Sequence, residues 1–489
     1  MNKKYLSGCF TGMEPSEIGN CGIRVAPGGK MPKDFFHPSF HGWIGIHRAD
    51  ITPPVGIYSR NWGAAKHDVA DSIHRRLTLS VMTLAPLGGG DPLVFVDVDL
   101  GWWKTPNTFR DFQTRLLLAL GLGSQNLILA LSHTHSAPPL MDTDDSLPGS
   151  GLLRLWMENV FQTTLNSVRA ALGSQFSGTL DWGVGRCDLA SIRDLPDPDS
   201  NKERVLCGFN PEGKPEDTLL VGRITNSAGR ICAILTNYAC HPTTLAWQNS
   251  AISPDYVGAM RETIEQSTGG VSLFMIGACG DLAPRFQYVG DTLVADRHGF
   301  HLGYAVLGTL HGMEPPGTCL VYDGPVESGA TLAVWRHKPR ELSQKLASRI
   351  TLVRLPLKDW PSANELEQQR LACNDRALEE RLRRKRDIRR GIGDGTTFDL
   401  PIYAWRIGDA VLVGCCAEPY SILQVELRRS FPGRTIVCMN LINGSIGYLP
   451  PAHLFDTNIY PVWQTPFDRG CLELVITSMI KAVNDVLCQ

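Results

Sequence analysis

Short apolar, β-branched runs recur along the chain, separated by stretches in which apolar positions repeat with helical spacing. The runs predict strands at Leu93 to Val98, Leu127 to Leu131, Thr179 to Gly185, Leu219 to Ile224, Ile231 to Asn237, Val271 to Ile276, Ile350 to Leu355, Ala410 to Val413 and Thr435 to Met439. The periodic stretches predict helices at Asn107 to Leu120, Leu152 to Leu172, Tyr256 to Gln266, Ala295 to Gly312, Ala363 to Arg389, Tyr420 to Arg429 and Leu472 to Leu487. Strands alternating with helices indicate α/β layers. The Gly/Pro-rich opening from Ala26 to Phe40 reads as a loop laid on a body that starts near Trp43.

Composition narrows this picture. With 43% hydrophobic and 20% charged residues over 489 positions, the chain matches ordinary globular proteins, which excludes disordered and fibrous classes. A formal net charge of -2 supplies no broad positive field, so neither nucleic acid nor stable attachment to an anionic membrane is expected. No run of apolar residues is long enough for a membrane helix. The opening MNKKYLSGCFTGMEPSE places Lys3 and Lys4 before no apolar run of signal-peptide length, so a cytoplasmic location is expected. The 14 cysteines are scattered without a CxxC pair and read as free, mostly buried thiols. Asp375 to Arg390 interleaves acids with arginines and reads as a solvated helix laced with i,i+4 pairs.

Candidate chemistry gathers where buried runs end, the place where α/β sheets present their active sites. SHTHSAP, Ser132 to Pro138, follows one such run; if strand geometry persists, His133 and His135 face one side together, as metal ligand and proton carrier or as an ordinary polar pair. NYACHPTT places His241 after a second run and before a proline that stops strand pairing. IGACGDLAP offers small residues around Gly280 and a thiol, Cys279, with no evident cation to activate it. Glu418, in AEPYSILQ after the strand VLVGCC, either begins a helix or completes a set of two histidines and one carboxylate, as in many catalytic zinc sites. NGSIGYLPPAHLFDTNIY adds Tyr448 and Tyr460, and the segment from Arg60 to His67, containing Trp62, is a candidate for lining the pocket.

Taken in order, ADITPP (Ala49 to Pro54), IHRRL (Ile73 to Leu77), FVDVDLG (Phe95 to Gly101), SHTHSAP, NYACHPTT, CGDLAP, the AEP glutamate and NGSIGYLPP resemble blocks of the neutral ceramidases and their shorter relatives. Those are zinc-dependent amidohydrolases that cleave an N-acyl bond. The resemblance runs from about Gly45 to the last helix. It implies a large single α/β catalytic domain over residues 41–489, with mixed sheet layers flanked by helices, behind an N-terminal extension of residues 1–40. It implies Zn2+ held by His133, His241, Glu418 and Tyr448, with His135 beside the metal as general base. Tyr460 matches a substrate-contact tyrosine, and Arg193 in SIRD matches an arginine of the family's site. A family serine is replaced here by Ala283, and the C-terminal β-sandwich of the longer ceramidases has no counterpart. Both departures favour a soluble small-molecule amide over a lipid. The expected activity is hydrolysis of a non-peptide carbon–nitrogen bond. The alternatives are an esterase, a lactam or cyclic-imide hydrolase on the same site, a true ceramidase, and a ligand-binding protein with a disabled site. Acyl group, amine and oligomeric state stay open, a homo-oligomer included.

Overall fold

The computed structural model describes residues 33–142, 144–199 and 201–489. The readings of Lys3, Lys4 and the rest of residues 1–32 lie outside the described residues. One small unit consists of 319–338 with the segment up to Phe35; its described part is residues 33–35 and most of the paired strands Thr318–Glu327 and Thr331–Pro339, whose end residues Thr318 and Pro339 fall in the other unit. The other unit, Phe36–Thr318 with Pro339–Gln489, carries everything that follows.

Its larger sheet has eight strands: β1 (Ser39–Asp50), β2 (Thr78–Ala85), β3 (Leu93–Val98), β4 (Leu127–Leu131), β5 (Phe176–Arg186), β6 (Thr218–Asn226), β7 (Ile231–Tyr238) and β8 (Val271–Ile276). Their spatial order is β8-β7-β6-β5-β1-β2-β3-β4. The middle of the sheet is antiparallel, and each edge is a parallel pair, β7 with β8 and β3 with β4. A second sheet orders β9 (Leu346–Pro356), β10 (Thr397–Ile407), β11 (Ala410–Cys415) and β12 (Ile436–Met439) in sequence.

The two sheets pack face to face between helical layers, which explains why the strand runs read as continuously apolar rather than alternating. Phe95, Ile128 and Met275 meet Trp405, Leu412 and Val437 in the core between the sheets. One position along, Val94 and Val96 turn to the helices Pro106–Leu120 and Ser150–Gly173. In β11, Val411 and Val413 turn to the helix Cys471–Leu487. Both faces of β3, β4 and β11 are buried, as period-two alternation between two covered faces requires.

A buried polar bridge links the edge strand β8 to β3, the strand next to the opposite edge. Asp97 on β3 accepts hydrogen bonds from Phe274 N on β8 (2.8 Å) and from Arg261 Nη1 (2.7 Å) and Nη2 (3.0 Å), while Asp99 takes Arg261 Nη2 at 3.0 Å. The loop after β12 closes the free edge of β4: Asn443 Oδ1 accepts from Leu129 N, and its Nδ2 donates to Leu127 O, both at 2.8 Å.

Every strand named from the pattern is present, with boundaries within a few residues. Strands β1, β2 and β10 went unpredicted: β1 begins inside the stretch read as loop, and β10 carries Pro401 in mid-strand. The single helix expected from Ala363 to Arg389 is two, Ala363–Leu371 and Arg376–Ile392, because Asp375 caps the second by accepting from Ala377 N and Leu378 N. The helix expected from Tyr420 starts at Ile422. Glu418 lies outside it, in a two-residue strand, which removes a role for its carboxylate at the helix dipole.

Candidate metal centre

The strand ends of β4 and β7 deliver the two histidines. His133 departs from the extended geometry assumed for the HxH pair: its backbone is left-handed (φ 70°), and its N–H donates to Leu100 O at 2.9 Å. Its ring Nδ1 meets Gly101 O at 3.1 Å. A side chain at position 101 would meet Thr134 O at 2.8 Å, so glycine is what permits this close approach. His241 directs Nδ1 at Cys279 O (2.6 Å) and Leu282 O (3.2 Å). A carbonyl can only accept, so in both rings Nδ1 carries the proton and Nε2 presents a lone pair.

Those lone pairs converge on Glu418. Its Oε2 lies 3.1 Å from His241 Nε2 and 3.3 Å from His133 Nε2. The short strands Glu418–Pro419 and Tyr448–Leu449 run parallel with Glu418 opposite Tyr448, and this pairing fixes the carboxylate in place. All three residues are buried, and their ligand atoms lie within 4.8 Å of one another. Burial, then nearby Arg193, lowers the His241 pKa to about 3, which keeps the ring neutral. Burial alone would raise the Glu418 carboxyl, and only positive charge on the side of His133 and His241, from protonated rings or from a cation, holds it well below its usual range. Two neutral imidazole lone pairs facing a carboxylate oxygen with no proton between them repel one another unless a cation sits among them. The donor set therefore fits a metal ion: two nitrogens and a carboxylate, each held by a second hydrogen bond or strand contact.

The cluster opens into a cavity of about 440 Å³. His135 does not join the cluster; it stands 5.0 Å from the His133 ring, between Trp62 (5.0 Å) and Trp102 (4.8 Å). Both of its ring nitrogens lack protein partners, and burial, then His133 and His241, holds its pKa well below the usual value. Tyr448 lies with its ring 6.3 Å from His241 and 5.6 Å from Tyr460. Burial raises both phenols, leaving them protonated. The Arg193 guanidinium is 5.3 Å from the Tyr448 ring, with Nε and Nη2 unpartnered. The structure thus gathers His133, His135, Arg193, Glu418, Tyr448 and Tyr460 around one cavity, with His241 buried against Glu418. Arg60 and Trp62 from the RNWGAAKH segment line it as well.

Three readings are sharpened by the structure. The small residues around Gly280 do not leave its amide free: it donates to Pro419 O at 2.9 Å. Cys279 is fully buried, and burial raises its thiol pKa far out of the range of a neutral-pH nucleophile. The arginine-rich helix is not a purely solvated face: it makes the expected Glu379–Arg383 and Glu380–Arg384 pairs, but Glu380, Arg384 and Asp387 wall the cavity. Arg384 donates to Tyr460 Oη (3.3 Å) and Asn61 O (2.6 Å). Lys104 and Trp102 on the same wall also escaped the sequence reading. The WWK triplet directly after FVDVDLG was the available signal.

Fold and site together define an α/β protein of two packed mixed sheets with a buried two-histidine, one-carboxylate cluster able to hold a metal ion. Its architecture is that of the neutral ceramidases. A ceramidase complexed with C2 superposes with a TM-score of 0.64 at 17% identity, covering 92% of this chain and 76% of that one. The neutral ceramidase from Pseudomonas aeruginosa gives 0.63 at 17% identity, covering 92% and 75%. In sequence, the curated neutral ceramidase of Pseudomonas aeruginosa is 22% identical over 261 residues, which is 50% of this chain and only 37% of that protein's length. No family profile matches the chain. Among the described residues, no helix is long and apolar enough to cross a membrane.

Proposed function

We propose that the chain is a zinc-dependent hydrolase that cleaves an N-acyl amide bond of a small, soluble substrate, amide and water giving a carboxylic acid and an amine. The observation that carries this reading is the convergence of the His133, His241 and Glu418 lone pairs at one side of an aromatic cavity, with His135 unpartnered beside them. The likeness to ceramidases supports it. Zn2+ held there by His133, His241 and Glu418, with Tyr448 as fourth ligand, would polarise the scissile carbonyl and make water acidic enough to react near neutrality.

The chain's own residues do the rest. His135, neutral and free at both nitrogens, takes the proton of the attacking water and returns it to the leaving amine. Arg193 directs two unpartnered N–H groups toward the charge that develops on the carbonyl oxygen, and the Tyr460 phenol, fixed by Arg384, positions the substrate. Trp62 and Trp102 on either side of His135 exclude bulk water. Ala283 is buried and does not line the cavity, so the replacement of the family serine there provides no direct contact that selects among amides.

Elemental analysis of purified protein should show about one zinc per chain, and chelation should abolish turnover of an N-acyl amide panel followed by mass spectrometry. Full turnover in metal-free protein would overturn the reading.

A further inference from the structure

The cavity has two unlike sides, and His135 stands between them. Past Trp62 the wall is aromatic: Trp247 and Tyr288 lie 6.1 and 5.8 Å from the Trp62 ring. Past Trp102 it is cationic. Lys104 Nζ sits 3.8 Å above the Trp102 ring and the Arg384 guanidinium 5.2 Å from it.

The charges on the second side do not balance. Asp387 is taken by Arg386 (2.6 Å) and Arg383 by Glu379 (2.8 Å). That leaves Lys104 and Arg384 to share Glu380, whose Oε1 is occupied by Arg384 Nε at 3.1 Å. Lys104 Nζ is enclosed and has no hydrogen-bond partner. A buried ammonium without a partner is costly, and native structures keep such groups where a ligand supplies the missing acceptor. Trp103 Nε1, on the residue next to Lys104, is a further donor without a partner. With Lys104 lacking an acceptor and Arg384 already paired with Glu380, this wall carries an excess of positive charge and is complementary to a monoanion, and the flexible lysine stem lets the ammonium swing to meet it.

We propose that Lys104 and Arg384 form an anion subsite for a carboxylate on the amine side of the substrate, so that the amides this chain takes are N-acyl amino acids and similar carboxylate-bearing amides. The acyl group then lies against Trp62, Trp247 and Tyr288. This deepens the amide-hydrolase reading and rests on it.

Binding and hydrolysis are tested separately. Benzoylpropionate is the non-cleavable carbon analogue of N-benzoylglycine; benzoylpropionamide is its neutral counterpart. Calorimetry on the zinc-loaded chain should show the anion binding at least about tenfold more tightly than the neutral amide. Lys104→Met should abolish that preference, Lys104→Arg should restore most of it, and Arg384→Lys should weaken it with the fold checked by circular dichroism. Equal affinity of the two probes for the wild type overturns the subsite. So does a preference that survives Lys104→Met unchanged, since the anion would then be binding the metal alone. Hydrolysis of N-benzoylglycine and N-benzoylglycinamide is then followed. Anion preference without turnover of either compound leaves the subsite standing and removes the hydrolase reading; turnover without anion preference does the reverse.

Discussion

The proton-transfer role proposed for His135 rests on its being aromatic, neutral and unpartnered, and a substitution can separate those properties. Phenylalanine preserves the packing between Trp62 and Trp102 and removes both nitrogens. His135→Phe should therefore retain about one zinc per chain while kcat falls by about 10²–10⁴ fold, the usual contribution of a positioned acid–base group. Loss of metal together with activity would make His135 a ligand instead. Lys104 makes a second prediction at this scale. Burial pulls its pKa down to about 7; Glu380 and Asp387 oppose the shift, and Arg384 and Arg383 add to it. Only the protonated form attracts a carboxylate. Affinity for benzoylpropionate should thus be flat below about pH 7 and fall by about tenfold per unit above it, whereas benzoylpropionamide should show no such slope. A titration by calorimetry in which the two probes share one pH profile would assign the slope to another group.

The loop after β12 holds the cluster's geometry at the scale of elements. Asn443 adopts a left-handed backbone (φ 52°), which asparagine tolerates better than most residues, and its side chain supplies β4 with the acceptor and donor that a neighbouring strand would have given. Asn443→Ala leaves Leu129 N and Leu127 O buried without these partners. A destabilisation of about 2–4 kcal/mol is expected from two such groups, visible as a lower denaturation midpoint in urea; a change under about 0.5 kcal/mol would mean that the loop does not close the sheet edge. Asn443 also shows where sequence reasoning stops. The pattern read β3, β4, β7, β8 and β11 because buried strands are uninterrupted apolar runs, and it placed His133, His241 and Glu418 at the ends of such runs. It missed β10, whose Pro401 argues against a central strand, and the break before Asp375, where neither glycine nor proline punctuates the helix. The arginines of the Arg376–Ile392 helix read as solvated because i,i+4 pairing looks the same on a surface and on a cavity wall. Which side of a helix meets a cavity depends on contacts distant in sequence, here Arg384 with Asn61 and Tyr460.

For the whole molecule, the metal cluster depends on closing the large sheet. His133 leaves β4 at one edge and His241 leaves β7 beside the other, and Asp97 helps bring their ring nitrogens together by tying β3 to β8 through Phe274 N and to the helix Tyr256–Thr268 through Arg261. Ser132 N donates to Val98 O at 2.8 Å, so a shift of β3 carries the His133 loop with it. Asp97→Asn leaves Arg261 as a buried cation with reduced compensation. Breaking such a pair costs about 3–5 kcal/mol, and the loss should fall on the closure between the sheet edges. Zinc that binds only the closed state stabilises it by an amount set by its affinity, so a looser closure shrinks the zinc-dependent rise in melting temperature. In Asp97→Asn the metal-free midpoint should drop, and the gap between zinc-loaded and chelated protein should also narrow. A lower midpoint with the gap unchanged would show that the bridge stabilises the sheet without setting the distance between the two histidines. Asp99→Asn is the matched control: it too removes a carboxylate from Arg261 but spares the bond to Phe274 N, so its gap should narrow less.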